Sequence, residues 1–456
     1  MILASCFDNF VAQSPISVMM RAIIEQACGS LRLNAIFEQK AQQQYTRTLE
    51  FSTVAMLMSE VVFDSSASIG AAFQNHHDQI PVTRKALYNK LNAVEPAISA
   101  AVVTETVSAL EQIIDHMGSA RPALLAGYRV KILDGNHLAA TERRLKPLRS
   151  NAGAPLPGHA LVVFEPHTGL VTGVIPCQDG HASERSLLEP LLRLVAPRDL
   201  WIADRNFCTT ALLHDLSARG AAFVIRQHGT MPGTLEGERI DRGRCASGHV
   251  YEQTLLSTDT RTKATLRLRR ITIVLDTPTR SRQSELHLVS NVPAEDATAA
   301  QLADLYGKRW RIETLFQELT ETLCCEIKTL GYPQAALLGF CLALLASNVL
   351  AVIKAALRAA HPTADVDQTV SGYYLAQEIG RNYGGMMIAI AAPEWRVFAP
   401  LSTAEMALLL TDLAVNARLS KYQKHPRGPK KPKPKRTGSH SSHVSTAKLL
   451  AQRKSK

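Results

Sequence analysis

Three acidic residues stand out by type and setting. Asp134 closes the run Arg129-Val130-Lys131-Ile132-Leu133-Asp134 and is followed by Gly135-Asn136. Strand alternation puts its carboxylate on the face of Val130 and Ile132, held rigidly where the strand meets a tight turn. Asp204 closes Leu200-Trp201-Ile202-Ala203-Asp204 in the same way, ahead of Arg205-Asn206-Phe207. Glu313 lies in Tyr306-Gly307-Lys308-Arg309-Trp310-Arg311-Ile312-Glu313. At about 100° per residue, Tyr306, Arg309 and Glu313 share one stripe beside the apolar stripe Leu305, Ile312, Phe316, Leu319 and Leu323. Carboxylates from two strand ends and one packed helix suit hard divalent cations. Two such ions roughly 3.5–4 Å apart can activate a water or a 3′-hydroxyl and stabilise the leaving oxygen of an in-line phosphoryl transfer. Each residue also has an ordinary use: an Asx turn for Asp134, a helix N-cap for Asp204, a surface ion pair between Arg309 and Glu313. The sequence has neither a Walker-type phosphate loop nor a nucleophile elbow.

The elements that must position these groups follow from periodicity and punctuation. Residues 1–120 read as an N-terminal helical domain: Ser14-Pro15 starts a helix that ends at Gly29, Thr83 caps Arg84–Asn92, and an apolar-periodic helix runs over Ile98–Met117. Arg84, Lys85, Tyr88 and Lys90 on the short helix offer a possible DNA contact, or simply a solvated face. From residue 121 to 228 the pattern changes to strands at Tyr128–Leu133, Ala160–Phe164, Leu170–Pro176, Leu200–Ala203 and Ala221–Arg226, with helices at Glu184–Val195 and Thr209–Ala218. This is an α/β plan around a mixed sheet. Residues 229–290 are expected to form a β-rich insertion, with strands at Val250–Leu256, Thr265–Leu275 and Glu285–Val289. Residues 291–360 resume the helical side of the catalytic unit with one long helix from about Ala297 to Thr322, and 361–420 form a C-terminal helical region that includes Thr403–Val415.

Charge is distributed unevenly. The chain carries 51 Lys and Arg against 40 Asp and Glu, a net +11. Twelve of the basic residues and no acidic one lie in 421–456, which leaves 39 basic against 40 acidic residues in the body. With prolines interleaved, 421–456 is expected to be a disordered basic tail, whose Lys430, Lys431, Lys433, Lys435 and Arg436 would meet nucleic-acid phosphates. The eight cysteines show no Cys-x-x-Cys pair and no zinc spacing, which fits a reducing cytoplasm. The uncharged stretch Ala335–Ile353 reads as a core helix, so no membrane partner is expected.

With these motifs in place, the chain resembles the IS4-type DDE transposases of bacterial insertion sequences. The resemblance rests on Ile132-Leu133-Asp134-Gly135-Asn136, on Ile202-Ala203-Asp204-Arg205-Asn206-Phe207, and on Tyr306-x-x-Arg309-x-x-x-Glu313 within a YREK-like signature. The three stand in order, roughly 70 and then roughly 110 residues apart, and the resemblance covers about 125–360. It implies a ribonuclease H-like sheet flanked by helices, with Asp134, Asp204 and Glu313 holding two Mg²⁺ (or Mn²⁺) ions. It implies further that Tyr306 and Arg309 contact the cleaved transposon end, where the family can form a hairpin and flip a base. The expected partners are double-stranded DNA, as transposon ends and target, and a second copy of the chain in the DNA complex. The expected setting is the bacterial nucleoid. One departure stands out: the signature's final lysine falls on Thr320, which can hydrogen-bond a phosphate but adds no charge. Two other functions compete, a transposase descendant that binds DNA without cutting it and a ribonuclease H-like nuclease without strand transfer.

Overall fold

The structure, a computed structural model, describes residues 3–46, 48–279, 282–425 and 443–454. Its centre is one sheet of nine strands. In chain order they are β1 Arg129–His137, β2 His159–Glu165, β3 Leu170–Cys177, β4 Asp199–Ala203, β5 Ala222–Arg226, β6 Thr234–Cys245, β7 Gly248–Thr258, β8 Thr265–Leu275 and β9 Glu285–Ser290. The spatial order is β3-β2-β1-β4-β5-β9-β8-β7-β6. β1 to β3 form an antiparallel meander, and β4 joins the other side of β1 in parallel, with β5 parallel beyond it. The strand order over β1 to β5 agrees with the ribonuclease H-like plan.

Strands β6 to β9 all lie within residues 229–290. β9 pairs antiparallel with β5 through Leu288↔Arg226 and Val289↔Ile225, so β6 to β9 continue the same sheet. The edge strand β6 escaped sequence reading because its side chains are almost all exposed and polar, leaving no buried face to impose alternation.

Both faces of β1 to β5 are covered, so these strands place apolar side chains on both sides of the sheet. Val130, Ile132, Val162, Leu200, Ile202 and Val224 pack into the large core shared with the helices. Leu133, Leu161, Trp201, Ala203, Phe223 and Ile225 pack on the opposite face. The helical layer includes α1 Pro15–Cys28, α2 Phe51–Val62, α3 Pro96–Thr104 and α4 Val107–His116; α5 Thr210–Ala218 covers the other face. Next come α6 Ala299–Gly307, α7 Trp310–Thr322, α8 Pro333–Ala360 and α9 Thr403–Val415. α8 is the spine of the helical layer, packing on α1 to α4, α9 and β3. By length and composition Pro96–His116 and Pro333–Ala360 could each cross a membrane, yet 94% of the most apolar window of the second is buried inside the protein.

Two helices expected to be continuous are broken. Ile98–Met117 divides into α3 and α4 at Glu105-Thr106, where the Thr106 hydroxyl donates to the Val102 and Val103 carbonyls. The expected helix over 297–322 divides into α6 and α7 at Lys308-Arg309. Across that junction Lys308 N–H donates to Leu305 O at 2.9 Å and Arg309 N–H to Tyr306 O at 2.9 Å, a tighter i to i+3 pattern after the poor helix former Gly307. The expected disordered tail needs a third correction. His443–Ser445 pairs in parallel with Ala154–Leu156 and leads into the helix Thr446–Lys454. Ser445 and Thr446 are buried, and Lys448 pairs with Asp179 at 3.1 Å.

Asn348, a polar residue inside the apolar α8, is fully buried. Its amide donates to Val171 O at 2.9 Å and accepts from Val171 N–H at 2.7 Å, which satisfies the outer edge of β3. Asn348→Leu would leave both backbone groups buried and unpaired, at about 1–3 kcal/mol each. It should lower unfolding free energy by about 2–4 kcal/mol in urea titration; a change under about 0.5 kcal/mol would show that the amide does not hold that edge.

Candidate active site

The geometry of the site starts from register. In the parallel pair β1 and β4 the last partners are Leu133↔Ala203, so Asp134 and Asp204 are the next residues on neighbouring strands. Asp134 is not at a strand end, as expected from sequence. β1 runs on to His137, with Asp134 opposite Val162 and Gly135 opposite Leu161 of β2. What ends at Leu133 is only the pairing with β4, because the chain leaves β4 at Asp204 for the short turn Arg205–Phe207. The Asp204 carboxylate makes no cap hydrogen bond to that turn, so N-capping does not account for it. Asp134 shares the face of Val130 and Ile132, toward the helical layer that contains α7.

Arg309 joins the first and third carboxylates. Its Nη1 donates to Asp134 Oδ2 at 3.0 Å and its Nη2 to Glu313 Oε1 at 2.6 Å, with the Arg309 side chain only 11% exposed. The sequence alternative of a surface ion pair therefore does not describe this arginine. Its own burial pushes the Asp134 carboxyl up to about 6, opposed by Arg309 and the Gly135 N–H and reinforced by Glu184 and Glu313. Tyr306 is buried, its hydroxyl reaching Asp204 Oδ1 at 3.5 Å, and burial raises the phenol further above its ordinary range. Arg226 at the end of β5 lies 3.9 Å from the same Asp204 oxygen. Arg309 thus links Asp134 of β1 to Glu313 of α7, and Tyr306 of α6 reaches Asp204, the residue that follows β4 where its pairing with β1 ends.

The donor set is all carboxylate oxygen, which matches the preference of hard divalent cations. Among the described residues no group of three His, Cys, Asp or Glu side chains converges closely enough to hold a metal ion as arranged. Positive charge between Asp134 and Glu313 is supplied instead by Arg309.

The other sequence candidates fall out differently. Thr320 is exposed on α7 and its hydroxyl donates to Phe316 O at 2.9 Å. Helix α7 ends at Thr322, so Lys328 does not lie on the same helix. Lys430, Lys431, Lys433, Lys435 and Arg436 lie outside the described residues. Lys90 is committed to packing, with its ammonium on Leu49 O at 2.7 Å and over the Phe37 ring. Sequence reasoning missed Glu184 and Arg226, since neither belongs to a recognisable motif. It also passed over Trp310, which is 62% exposed with the Arg309 guanidinium 5.2 Å from its ring.

Residues 126–349 match the family profile described as the transposase DDE domain. No curated protein matches the chain. Among solved structures, the cryo-EM structure of a piggyBac transposase synaptic complex with hairpin DNA is similar at 13% identity, covering 90% of this chain and 84% of that one, with a TM-score of 0.40.

The raised Asp134 carboxyl has two consequences of opposite use. For the metal-free fold it contributes stability that is present below the ordinary carboxylate range and is lost as pH rises through about 6. For a cation bound at Asp134, the proton must first leave. Mn²⁺ affinity should therefore fall as pH is lowered through about 6, approaching tenfold per unit below it. Calorimetric titration at pH 7 and pH 5 measures this, and equal affinities would show that no proton titrating near pH 6 is displaced from the site on binding.

Proposed function

We propose that this DNA transposase, whose DDE domain occupies residues 126–349, cuts and rejoins DNA at the inverted repeats of its own element, with Asp134, Asp204 and Glu313 as its catalytic carboxylates. The observation that carries the assignment is the adjacent placement of Asp134 and Asp204 on the β1–β4 pair, with one buried arginine joining Asp134 to Glu313 of α7. DDE transposase domains use divalent metal ions, and in our reading Asp134, Asp204 and Glu313 hold two Mg²⁺ or Mn²⁺ ions. When bound, the cations would activate the attacking water or 3′-hydroxyl and neutralise charge on the leaving oxygen.

The chain's own residues supply position and charge. The register of β1 and β4 makes the two aspartates the next residues on neighbouring strands, and Arg309 ties Glu313 of α7 to Asp134. Arg309 can serve carboxylate or phosphate oxygens with the same planar fork, which supports a contact with the DNA strand beside Asp134. Tyr306 stays a neutral hydroxyl near Asp204, able to donate to it. The assignment to the IS4-type branch rests on the Tyr306-Arg309-Glu313 signature, with Thr320 at the position of its lysine. Pairing two transposon ends calls for a homodimer on DNA, and the eight free thiols fit action in a reducing bacterial cytoplasm. The inactive-descendant reading is disfavoured by the presence of all three carboxylates. A plain nuclease would have no use for the Tyr-Arg pair held against them.

Two experiments test the proposal. Asp134→Asn, Asp204→Asn and Glu313→Gln should each reduce cleavage of a repeat-bearing duplex by at least about a thousandfold, on the order of 4 kcal/mol in the barrier, with end binding retained. Wild-type cutting by any one variant removes that residue from the site. Replacing Lys430, Lys431, Lys433, Lys435 and Arg436 together by Gln should weaken specific and random DNA binding alike, and reduce the slope of log K against log salt by up to about 4.5. An unchanged slope would show that these side chains do not meet phosphates.

A further inference from the structure

Gly135 follows the first aspartate directly, and its environment explains why a side chain is missing there. It lies in extended backbone of β1, opposite Leu161, so no left-handed conformation demands glycine. The constraint is space: a Cβ on Gly135 would lie 1.9 Å from Glu184 Oε1 and 2.6 Å from Glu184 Cδ. The Glu184 carboxylate therefore rests on the backbone of the Asp134-Gly135 step. Its other oxygen, Oε2, accepts from the side-chain amide of Asn206, two residues after Asp204. The neighbouring Arg185 Nε donates to Asn206 O at 2.8 Å, so the turn Glu184–Leu187 grips the Asp204 loop at two points. One carboxylate thus touches both aspartate motifs, which share no other side-chain link through Gly135 and Asn206 among the described hydrogen bonds.

We propose that Glu184 is a positioning residue for the reaction: it spans from the Gly135 backbone to Asn206 and so fixes how far the Asp134 and Asp204 carboxylates stand apart. This accounts for the glycine after Asp134 and the asparagine after Asp204-Arg205, neither of which the three-carboxylate reading explains. The inference rests on that reading, because the distance being set is that between two proposed cation ligands. Parallel pairing alone leaves this distance loose, since the β1–β4 ladder ends at Leu133↔Ala203 and both aspartates lie beyond it. A displaced second partner of this kind typically costs about 10- to 100-fold in metal affinity.

The test measures Mn²⁺ affinity by electron paramagnetic resonance on the full-length, DNA-free protein, alongside its melting temperature. Glu184→Ala should weaken Mn²⁺ binding about tenfold or more with little change in melting. Gly135→Ala should do the same, because the new methyl group displaces only the end of a flexible side chain. The double variant should be no worse than the weaker-binding single variant, since both changes remove one contact. Glu184→Gln, which keeps the length and an oxygen acceptor for Asn206, should restore affinity to within about threefold of wild type, as expected when position rather than charge matters. The proposal is overturned if Glu184→Ala binds Mn²⁺ as wild type does, if the two single effects multiply in the double variant, or if Glu184→Gln is as weak as Glu184→Ala. Asp134→Asn is the control. Retained binding there overturns the carboxylate assignment and this inference together, whereas loss there with wild-type binding by Glu184→Ala overturns this inference alone.

Discussion

The site depends on the register between β1 and β4. A slip of one residue in either strand would turn its aspartate to the other face of the sheet and reverse which apolar side chains meet each core. Close packing of side chains on both faces resists that slip, and a buried ion pair pins it at the opposite end of the same two strands. Lys131 of β1 donates to Asp199 Oδ2 of β4 at 2.7 Å, with both side chains at most 9% exposed, and its ammonium lies 5.3 Å from the Trp201 ring. Shifting the strands would strand both charges in a dry environment, where removing one partner of a buried pair typically costs about 3–5 kcal/mol. Such a pair adds little net stability compared with apolar side chains. Its value here is that only one alignment satisfies it, and that alignment places Asp134 beside Asp204.

The other end of the β1–β4 pair carries the complementary problem, several carboxylates around one buried arginine. Burial raises the Asp134 carboxyl, Glu184 and Glu313 reinforce the rise, and Arg309 opposes it. Arg309 suits this role because its planar fork meets two carboxylates at once, which a lysine's point charge does not do. A Lys would also give up its proton more readily when desolvated. The tightened junction between α6 and α7 matters for the same reason. It lets Tyr306 approach Asp204 from one helix while Arg309 and Glu313 approach Asp134 from the start of the next.

Much of this was legible in the sequence. β1 to β5 are short apolar runs between turn residues, and each was recognisable because burial on both faces selects such runs. The three carboxylates were recognisable because each sits at a fixed offset from those runs or within a spaced signature. What stayed hidden depends on contacts between elements. Glu184 belongs to no motif and gains its meaning only when β1 and the Asp204 loop come together around it. The break after Gly307 is tertiary as well, since the residue pattern on either side continues a helical period. The extension of the sheet through β9 could not be read because pairing partners leave no mark on a single strand, and exposed β6 leaves almost no periodic trace.

The C-terminal region shows how composition can mislead when averaged over too long a window. Taken whole, 421–456 is basic and proline-rich, yet its last stretch, Val444-Ser-Thr-Ala-Lys-Leu-Leu-Ala, has the small and apolar residues of a packed segment. That stretch docks beside Ala154–Leu156 and contacts Asp179, whose backbone carbonyl also holds His159 at 3.1 Å. On the near side, Gln423 bridges to Val370 and the Lys424 ammonium donates to Asp367 O at 2.7 Å. The basic run from 426 to 442 is therefore bounded at both ends by residues that pack on the body. Deleting everything after Ser420 would remove a paired strand along with the charge, and any loss of DNA affinity would mix folding with electrostatics. Neutralising the basic side chains in place leaves both anchors intact, which makes the salt slope a measure of phosphate contact alone.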